Sequence, residues 1–516
     1  MERDDRLPLD RRLRQEILLA RERVYHFARP TPLERIDLPG LEIWVKREDL
    51  SPIKAYKWRG ACNRMAVLSP DERQRGVITA SAGNHAQGVA LAAAKLGIDA
   101  RIYMPRPTPR VKQEAVMKHG GDRVGIVLAG DSYDESVAAA RADEADSGAI
   151  YIPAYDDLHV MAGQGTLADE VVLSGHGPFD VAYLQIGGGG MAAGAGEWLR
   201  TYWPEIELVG VEGEGQASMK AALEHGEPVP LTELDIFCDG TAVRQAGSLS
   251  FEACRGLLDR IETVSNQEVI GAVRTLWEGL RCVAEPSGAM GLAAALKNRD
   301  QLAGKRVLVI LCGANVDFLQ LGHMAASEGA SKARTRTLRV RIPEHAGTML
   351  DLLDRGFSGL TITDFQYGKV DAADAWPVFS LSADEPAKLD AVESTLNAAG
   401  FEWSDVAGAA DIQFRAIPLR SDLLAHPLFL RLDFYERSGA LRDFLDQRVR
   451  DRANLCYFNY RQSGERIGRA LIGLDFPGAS SRDRFTEELP VTGDGYRRCA
   501  PLDPAATARL IGQPGN

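Results

Sequence analysis

Short apolar runs rich in β-branched residues alternate with alanine-rich, helix-like stretches from residue 41 to about residue 312. Nearly continuous apolar strands separated by helices are typical of parallel sheets that are covered on both faces. The pattern therefore predicts an α/β fold, split into two lobes of open parallel sheet with a ligand site between them. The predicted strands span residues 42–46, 76–79, 100–104, 181–186, 208–211 and 306–311.

An internal repeat follows after residue 315, where the pattern changes. Residues 338–350 resemble residues 430–442, and each copy predicts an alternating strand, a loop that ends in glycine, and a helix. Each copy then continues into a second strand that carries the sequence Phe-x-Tyr. Because self-similarity marks duplicated modules, the repeat suggests an α+β binding or sensing region. The repeated glycines and tyrosines are Gly347, Gly439, Tyr367 and Tyr460.

The length of the chain, 516 residues, exceeds what one hydrophobic core usually supports, so several domains are expected. The segment 331–336 is polar, basic and poor in large apolar residues, and it is predicted to be a linker. We predict an α/β domain at residues 1–330 and two repeated modules at residues 337–412 and 427–505.

Composition and charge exclude several classes of protein. With 45% hydrophobic and 26% charged residues, the chain is expected to be globular rather than disordered. A formal net charge of −12 offers no basic surface for nucleic acid or an anionic membrane. The first residues are densely charged, and no run approaches the roughly 18 apolar residues of a membrane span. We therefore expect a cytoplasmic protein that acts on small molecules.

The spacings of cysteine and histidine predict neither disulfides nor a metal site. Seven cysteines are scattered without a CxxC pair, and an odd number in a long chain argues against a disulfide framework. The nine histidines include no HExxH pattern. Reduced thiols and no transition metal are expected, although a monovalent cation held by carbonyl groups would leave no trace in the sequence.

Lys57 is the candidate nucleophile. A lysine forms a Schiff base with an aldehyde only when its amine is unprotonated, which a desolvated or cationic surrounding promotes. Arg59 lies close to Lys57 in sequence, and the motif Arg-Gly-Ala follows it. Lys54 lies one helical turn earlier but lacks this context, and an isolated lysine is usually a surface charge.

A run of four glycines follows the predicted strand that ends at Ile186. Such a run lets backbone N–H groups converge at a helix N-terminus, where the helix dipole also favours a phosphate. A tight turn from strand to helix explains the same glycines equally well. Neither the Walker lysine nor the GxGxxG spacing is present, which disfavours nucleotide binding. The residues are Gly187, Gly188, Gly189 and Gly190, followed by Met191.

The turn at residues 81–85 also joins a strand to an alanine-rich helix. Its hydroxyl and amide groups could hold a substrate carboxylate by the same helix-terminus reasoning, whereas an ordinary N-cap serine explains the turn on its own. The amide of Asn84 can donate to the phenolic oxygen of a cofactor, and His85 fits either a supporting role or the core. The residues are Ser81, Ala82, Gly83, Asn84 and His85.

Cys312 follows a predicted buried strand at the carboxyl end, where ligands of open sheets bind. A buried cysteine usually serves as inert packing. Beside a pyridine nitrogen, a thiol would be a weak neutral partner that does not enforce protonation of the ring, which favours prompt loss of a β-substituent. Glu285 supplies a carboxylate that can face the same ring, or it is an ordinary loop glutamate before a proline turn.

Taken together, these motifs resemble those of the biosynthetic threonine ammonia-lyases (threonine deaminases), which are fold type II, tryptophan synthase β-like pyridoxal phosphate enzymes. The resemblance covers nearly the whole chain, including two regulatory modules that resemble ACT domains. The motifs that carry it span residues 23–25, 31–33, 45–49, 57, 81–88, 162–166, 187–190, 285–289 and 313–315.

The resemblance implies a role for each candidate residue. It implies that Lys57 binds the pyridoxal phosphate aldehyde and later takes the α-proton of the substrate, and that Asn84 contacts the cofactor. It implies that residues 187–191 hold the phosphate and that Cys312 lies at the pyridine nitrogen. The implied reaction converts L-threonine to 2-oxobutanoate and ammonia, the first committed step towards isoleucine, with L-serine as a second substrate.

The two modules imply feedback control of a homotetramer, with isoleucine as inhibitor and valine opposing it. Tyr367 and Tyr460, at matching places in the repeat, are the effector-site candidates; aromatic packing against a helix accounts for them equally well.

Three departures from the family pattern keep other functions open. Trp58 replaces a usual leucine, residues 52–56 replace a more usual approach to the lysine, and Cys312 stands where biosynthetic enzymes usually have serine. Cysteine is familiar at that place in serine dehydratases, so a serine-preferring dehydratase is one alternative. A β-replacement enzyme and a non-catalytic amino-acid sensor are the others.

Overall fold

A computed structural model describes most of the chain. The described residues are 7–332, 336–343, 348–366, 373–383, 386–407, 409, 412, 424–435, 444–450, 452–460, 467–492 and 496–510. They form two compact units, at residues 1–318 and 319–516. The α13 helix, Phe318–Lys332, runs into the predicted linker, and the next strand begins at Arg336. Residues 333–335 lie outside the described part, so the predicted domain boundaries stay predictions.

The first unit contains ten strands and twelve complete helices among its described residues, in an alternating order. The strands are β1 (Leu33–Leu38), β2 (Leu41–Arg47), β3 (Val77–Ala80), β4 (Ala100–Met104), β5 (Val124–Leu128), β6 (Ile150–Tyr151), β7 (Val181–Gln185), β8 (Glu207–Gly213), β9 (Arg260–Val264) and β10 (Arg306–Leu311). The helices are α1 (Leu9–Phe27), α2 (Trp58–Ala66), α3 (Pro70–Arg75), α4 (Asn84–Leu96), α5 (Arg110–Gly120), α6 (Tyr133–Ser147), α7 (Leu158–Leu173), α8 (Gly190–Tyr202), α9 (Ser218–His225), α10 (Ser248–Leu257), α11 (Asn266–Leu280) and α12 (Pro286–Lys297).

These strands form two separate sheets, which confirms the predicted two-lobed α/β fold. One sheet has the order β1-β2-β10-β7-β8-β9, and only the β1–β2 pair is antiparallel. The other has the order β5-β4-β3-β6 and is parallel throughout. Strands β3, β7 and β10 are almost wholly buried, as expected of parallel strands covered by helices on both faces.

The second unit contains the two repeated modules. The first module comprises β11 (Arg336–Pro343), α14 (Thr348–Gly356), β12 (Thr361–Gln366), β13 (Asp374–Ala375), β14 (Val378–Ser382), α15 (Pro386–Asp390), α16 (Val392–Ala399) and β15 (Glu402–Asp405). The second comprises β16 (Pro427–Tyr435), a π-helical turn (Leu445–Val449), β17 (Asn454–Tyr460), β18 (Ile467–Asp475), α17 (Ala479–Glu488), β19 (Tyr496–Pro501) and α18 (Pro504–Leu510).

Both modules arrange their strands in the same way. Apart from the two-residue β13, the first sheet has the order β12-β14-β11-β15 and the second has the order β17-β18-β16-β19. In each, the first strand of the module is central and pairs antiparallel with the third and the fourth. The shared topology agrees with the repeat found in the sequence. The predicted loop glycines, Gly347 and Gly439, lie outside the described residues.

Candidate active site

Lys57 lies immediately before α2, beside the carboxyl end of β10. The N–H of Tyr56 donates to the carbonyl of Cys312 at 3.0 Å, and the N–H of Ala314 donates to the carbonyl of Lys54 at 2.8 Å. These two bonds flank an antiparallel bridge between Ala55 and Gly313. The approach to the lysine is therefore fixed to the strand end that carries Cys312, although the two residues are more than 250 positions apart.

The amine of Lys57 is largely shielded from water. Its Nζ donates to the carbonyl oxygen of Ala154 at 3.0 Å and lies 5.6 Å and 6.0 Å from the ring centres of Tyr56 and Tyr155. Burial lowers the pKa of Lys57 below the ordinary lysine value, to about 8, although Cys312 and Glu285 act in the opposite direction. A usable fraction of the amine is therefore unprotonated near neutral pH.

Arg59 does not supply the cationic surrounding expected from its place in sequence. Its guanidinium binds the carboxylates of Glu48 and Glu170, at 2.9 Å from Nε to Glu48 and 2.6 Å from Nη1 to Glu170. Desolvation, rather than a neighbouring positive charge, lowers the lysine pKa.

The glycine run forms a turn between β7 and α8. Gly189, with φ of +97°, occupies a conformation that favours glycine and caps the helix. A Cβ added to Gly188 would lie 2.2 Å from the ring of Tyr155, and one added to Gly190 would lie 2.7 Å from the Tyr155 carbonyl. Tyr155 thus packs against the turn and also approaches the amine of Lys57. No side chain larger than hydrogen fits on this wall of the turn.

The N–H groups of residues 187–191 donate to no acceptor within the described part of the chain. Helix geometry leaves the first N–H groups of α8 without intrahelical partners, and the helix dipole adds positive potential there. A phosphate fits such a set of donors, and Met191 is buried in the first turn behind it. The arrangement therefore suits a cofactor with one phosphate and an aldehyde that reaches Lys57.

The turn before α4 follows β3, which belongs to the four-stranded sheet. Ser81 and Ala82 connect β3 to Gly83, whose N–H donates to the Ser81 hydroxyl at 3.2 Å. His85 is buried, and its Nε2 lies 3.0 Å from the carbonyl of Ile152, which requires Nε2 to donate. Burial, and secondly the charge of Lys57, lower the pKa of His85 to about 3, so the ring is neutral. His85 supports the turn from the core.

Asn84, Glu285 and Asn315 form a hydrogen-bonded group between the two sheets. Nδ2 of Asn84 donates to Oε1 of Glu285 at 2.7 Å, and Nδ2 of Asn315 donates to Oδ1 of Asn84 at 2.7 Å. The backbone N–H of Asn315 donates to Oε2 of Glu285 at 3.0 Å. Burial, and then the charge of Asp239, raise the pKa of Glu285 to about 7. One hydrogen on Nδ2 of Asn84 is left for a further acceptor.

Cys312 is buried between β10 and α12. Its Sγ lies 3.5 Å from the carbonyl of Ser287. Burial, followed by the charge of Glu285, holds the pKa of the Cys312 thiol well above its ordinary value. The group is therefore neutral. The hydroxyl of Ser287 has no hydrogen-bond partner within the described part of the chain. This hydroxyl is therefore available to a polar atom of a ligand.

Two residues at this site were not found by sequence reasoning. Tyr155 follows the two-residue strand β6 and stands in no recognisable motif, so nothing in the sequence marked it. Asn315 was included in the motif 313–315 without a role, and only the fold shows that its side chain bonds to Asn84 and to the carbonyl of Ile53.

The effector candidates lie in the second unit. Tyr460 ends β17, is half-buried, and its ring centre lies 5.4 Å from that of Phe434. Tyr367 lies outside the described residues. Both assignments stay predictions.

A partly buried lysine beside an N–H-lined turn, between two open sheets, defines a fold type II pyridoxal phosphate enzyme. Residues 24–313 match the family of pyridoxal-phosphate dependent enzymes, and residues 425–505 match the C-terminal regulatory domain of threonine dehydratase. The chain belongs to the family of biosynthetic threonine dehydratases, and its cofactor is pyridoxal phosphate.

Individual relatives agree with this assignment. The biosynthetic L-threonine dehydratase of Burkholderia multivorans is 35% identical over 93% of this chain and 96% of its own. The one from Escherichia coli is 36% identical over 88% of this chain and 89% of its own. The solved structure of threonine deaminase isoform 2 from Solanum lycopersicum, in its processed form, has a TM-score of 0.58 and 37% identity over 61% of this chain and 93% of its own.

Replacing Gly188 by alanine is expected to weaken cofactor binding about tenfold or more, because the new methyl group collides with the Tyr155 ring and the turn must move. Titrating the apoprotein with pyridoxal phosphate and following cofactor absorbance would measure the effect. Gly271→Ala is the matched control, since a Cβ at that helical glycine meets nothing within 4 Å. Equal affinities in both variants would contradict a phosphate site at this turn.

The attachment of pyridoxal phosphate to the apoprotein is expected to depend on the Lys57 amine. Only the neutral amine attacks the aldehyde, so the rate should rise about tenfold from about pH 6.5 to about pH 7.5 and level off above about pH 8. Stopped-flow absorbance would measure it. Nα-acetyl-lysine in solution is the reference, and its rate should keep rising beyond pH 9; a protein profile that matches it would contradict the lowered pKa.

Proposed function

We propose that the protein deaminates L-threonine to 2-oxobutanoate and ammonia, and that this is the first committed step of isoleucine biosynthesis. The observation that carries the proposal is the position of Lys57, whose shielded amine lies between Tyr56 and Tyr155 next to the glycine turn. Membership of the biosynthetic threonine dehydratase family supports the choice of substrate. We also propose residues 1–330 as the catalytic domain.

Each candidate residue has a role in this proposal. When bound, pyridoxal phosphate supplies an electron-withdrawing ring that makes the substrate α-proton acidic. The N–H groups of residues 187–191 hold the phosphate and thereby fix the distance to Lys57. Lys57 would bind the aldehyde carbon of the cofactor and would serve as the base that takes the proton from the substrate Cα.

The groups around the ring favour elimination over other chemistry. Asn84 would donate its remaining N–H to the ring hydroxyl, while its bond to Glu285 holds the amide in place. Cys312 would lie at the pyridine nitrogen as a neutral thiol, which would not stabilise a positively charged ring. A neutral partner there would favour prompt loss of the β-hydroxyl over chemistry that needs a long-lived negative charge at Cα. The water released in this step is consumed when the imine product is hydrolysed to the 2-oxo acid and ammonia.

The substrate carboxylate is proposed to bind at the turn of residues 81–85. The N–H groups at the start of α4 and the Ser81 hydroxyl point to an anion site of the helix-terminus type. Because His85 is neutral, it stabilises this turn without placing a second positive charge, besides that of Lys57, near the substrate carboxylate.

We further propose that the modules at residues 337–412 and 427–505 bind isoleucine as an inhibitor and valine as its antagonist, within a homotetramer. The match of residues 425–505 to a threonine dehydratase regulatory domain and the shared strand order of both modules support this. Tyr367 and Tyr460 are the proposed effector contacts.

All seven cysteines are free, which is typical of a reducing compartment such as the cytoplasm. Among the described helices, none is long and apolar enough to cross a membrane.

The test of this function is the release of 2-oxo acid by the purified protein from L-threonine and from L-serine, each with and without L-isoleucine. We expect threonine to be preferred and its turnover to be suppressed by isoleucine, with valine restoring it. Turnover that favours serine would instead indicate a serine dehydratase, for which Cys312 is the observation in favour. Turnover of threonine that ignores isoleucine would remove the proposed role of the modules.

A further inference from the structure

The segment of residues 238–241 lies against two parts of the candidate site at once. A Cβ added to Gly240 would lie 2.5 Å from the Ser287 hydroxyl and 3.3 Å from Oε1 of Glu285. A Cβ added to Gly187 would lie 3.0 Å from Cα of Thr241. The backbone of this segment therefore fills the space between the glycine turn and Glu285. A side chain at Gly240 would collide with Ser287, and one at Gly187 would press tightly against the backbone of Thr241.

Asp239, within this segment, connects it to the other sheet of the catalytic unit. Nζ of Lys112 lies 2.7 Å from Oδ2 of Asp239, and the two side chains are only 15% and 23% exposed. Lys112 lies in the first turn of α5, which joins β4 and β5 of the four-stranded sheet. The segment itself is a turn between α9 and α10, which connect β8 to β9 of the six-stranded sheet. This ion pair therefore joins the two lobes between which the candidate site lies.

The packing of α5 makes the ion pair important for the position of this helix. Only Val116 and Gly120, in its second half, are buried. The nearby pair Arg110–Glu114 lies along the surface of the same helix, with side chains 90% and 63% exposed. Lys112 is thus the charged group that fixes the first turn of α5 to the segment of residues 238–241.

The same two charges act on Glu285. Burial is the main reason that the pKa of this carboxyl is raised to about 7; Asp239 raises it further and Lys112 lowers it. Both side chains therefore lie within electrostatic reach of the group that holds Asn84.

We propose that Lys112 and Asp239 are positioning residues whose ion pair holds residues 238–241 against Glu285 and the glycine turn, and thereby retains the cofactor and substrate. The inference rests on the proposed pyridoxal phosphate reaction. A break in the pair would let α5 and the segment separate, so both cofactor and threonine would leave more easily. The chemical step at Lys57 would change little, because neither residue touches the reacting atoms.

The experiment compares the holoenzyme with Lys112→Met, Asp239→Asn, Lys112→Arg and the control Arg110→Met. Release of pyridoxal phosphate, followed by absorbance after dilution into a carbonyl trap, should be about tenfold faster in the first two, the size expected when one charge-assisted hydrogen bond is lost. The KM for threonine should rise by a similar factor, while kcat stays within about twofold. Lys112→Arg should retain both values, and Arg110→Met should match the parent.

A second arm separates positioning from simple loss of stability. The charge-swapped protein, Lys112→Asp with Asp239→Lys, should recover most of the cofactor retention lost in Lys112→Met, because the pair is restored in the opposite direction. Cofactor release and KM in Lys112→Met equal to those of Arg110→Met would overturn the inference. A parent protein that binds no pyridoxal phosphate would instead refute the proposed function, so the two failures are distinguishable.

Discussion

Replacing Lys57 by alanine is expected to reduce threonine deamination by about 10³-fold or more, because the variant lacks both the amine that binds the cofactor aldehyde and the base that takes the α-proton. The cofactor would also be held only by non-covalent contacts. Initial rates of 2-oxo acid release would measure the first effect. Borohydride treatment followed by mass spectrometry of the peptides would measure the second, since reduction makes the bond to lysine permanent.

Lys54→Ala is the matched control for this experiment. Lys54 is exposed, and its backbone N–H donates to the carbonyl of Ser51 while its carbonyl accepts from the N–H of Ala314. We expect this variant to keep its activity and its borohydride-stable cofactor. If Lys57→Ala still yielded a cofactor-labelled peptide and normal turnover, the anchor would be another lysine and the assignment of the site would be wrong.

The strands were predictable where a strand is buried on both faces. The predicted ranges 100–104 and 306–311 coincide with β4 and β10, because their mostly apolar residues are suited to burial between helices. Strands β1, β5, β6 and β9 of the first unit were not predicted, and all four lie at the edges of the two sheets. Their positions are mostly partly exposed, as expected of edge strands, so they lack the continuous apolar pattern of the buried strands.

The site was predictable only where a residue carries its own chemistry. Lys57, the glycine run and Cys312 could each be proposed as site residues from residue type and sequence context. Their surroundings could not, because contacts such as Tyr155 to the glycine turn or Lys112 to Asp239 join positions that are 33 to 127 residues apart. Arg59 lies close to Lys57 in sequence, but this does not make it a cationic neighbour of the amine. Closeness in sequence did not reveal that its guanidinium faces two buried glutamates.

The guanidinium of Arg59 belongs to a buried group of four charged side chains. Arg59 on α2 and Lys46 on β2 share the carboxylates of Glu48 and Glu170, and all four side chains are buried. The hydroxyl of Thr31 completes the group by donating to Glu48 at 2.6 Å. Although burial alone would raise it, Arg59 and Lys46 hold the pKa of Glu48 well below its usual range. The two positive and two negative charges balance each other where water cannot screen them.

Arg59→Met is expected to lower the free energy of unfolding of the catalytic unit by about 3–5 kcal/mol, because one cation is left for two buried carboxylates. Urea unfolding followed by tryptophan fluorescence would measure it, with Trp58 reporting on α2 directly. Arg123→Met is the control: its partner Asp99 is largely exposed, so the change should be within about 1 kcal/mol. Loss of the Arg59 ion pairs would also loosen α2, the helix that follows Lys57. Cofactor binding should therefore weaken in parallel with stability.

The sign of the pH dependence follows from the lowered pKa of Glu48. Its contribution to stability is present above the unfolded-state pKa of about 4.3 and is lost as the pH falls through the lower folded-state pKa.

Adding Glu170→Gln to Arg59→Met restores a balance of one cation and one anion. The double variant should therefore recover at least about 1 kcal/mol in the free energy of unfolding relative to Arg59→Met alone. Strictly additive losses would mean that the two charges do not interact. The group would then stabilise the approach to Lys57 through its hydrogen bonds, and Arg59→Lys, which keeps the charge but not the paired geometry, would be as damaging as Arg59→Met.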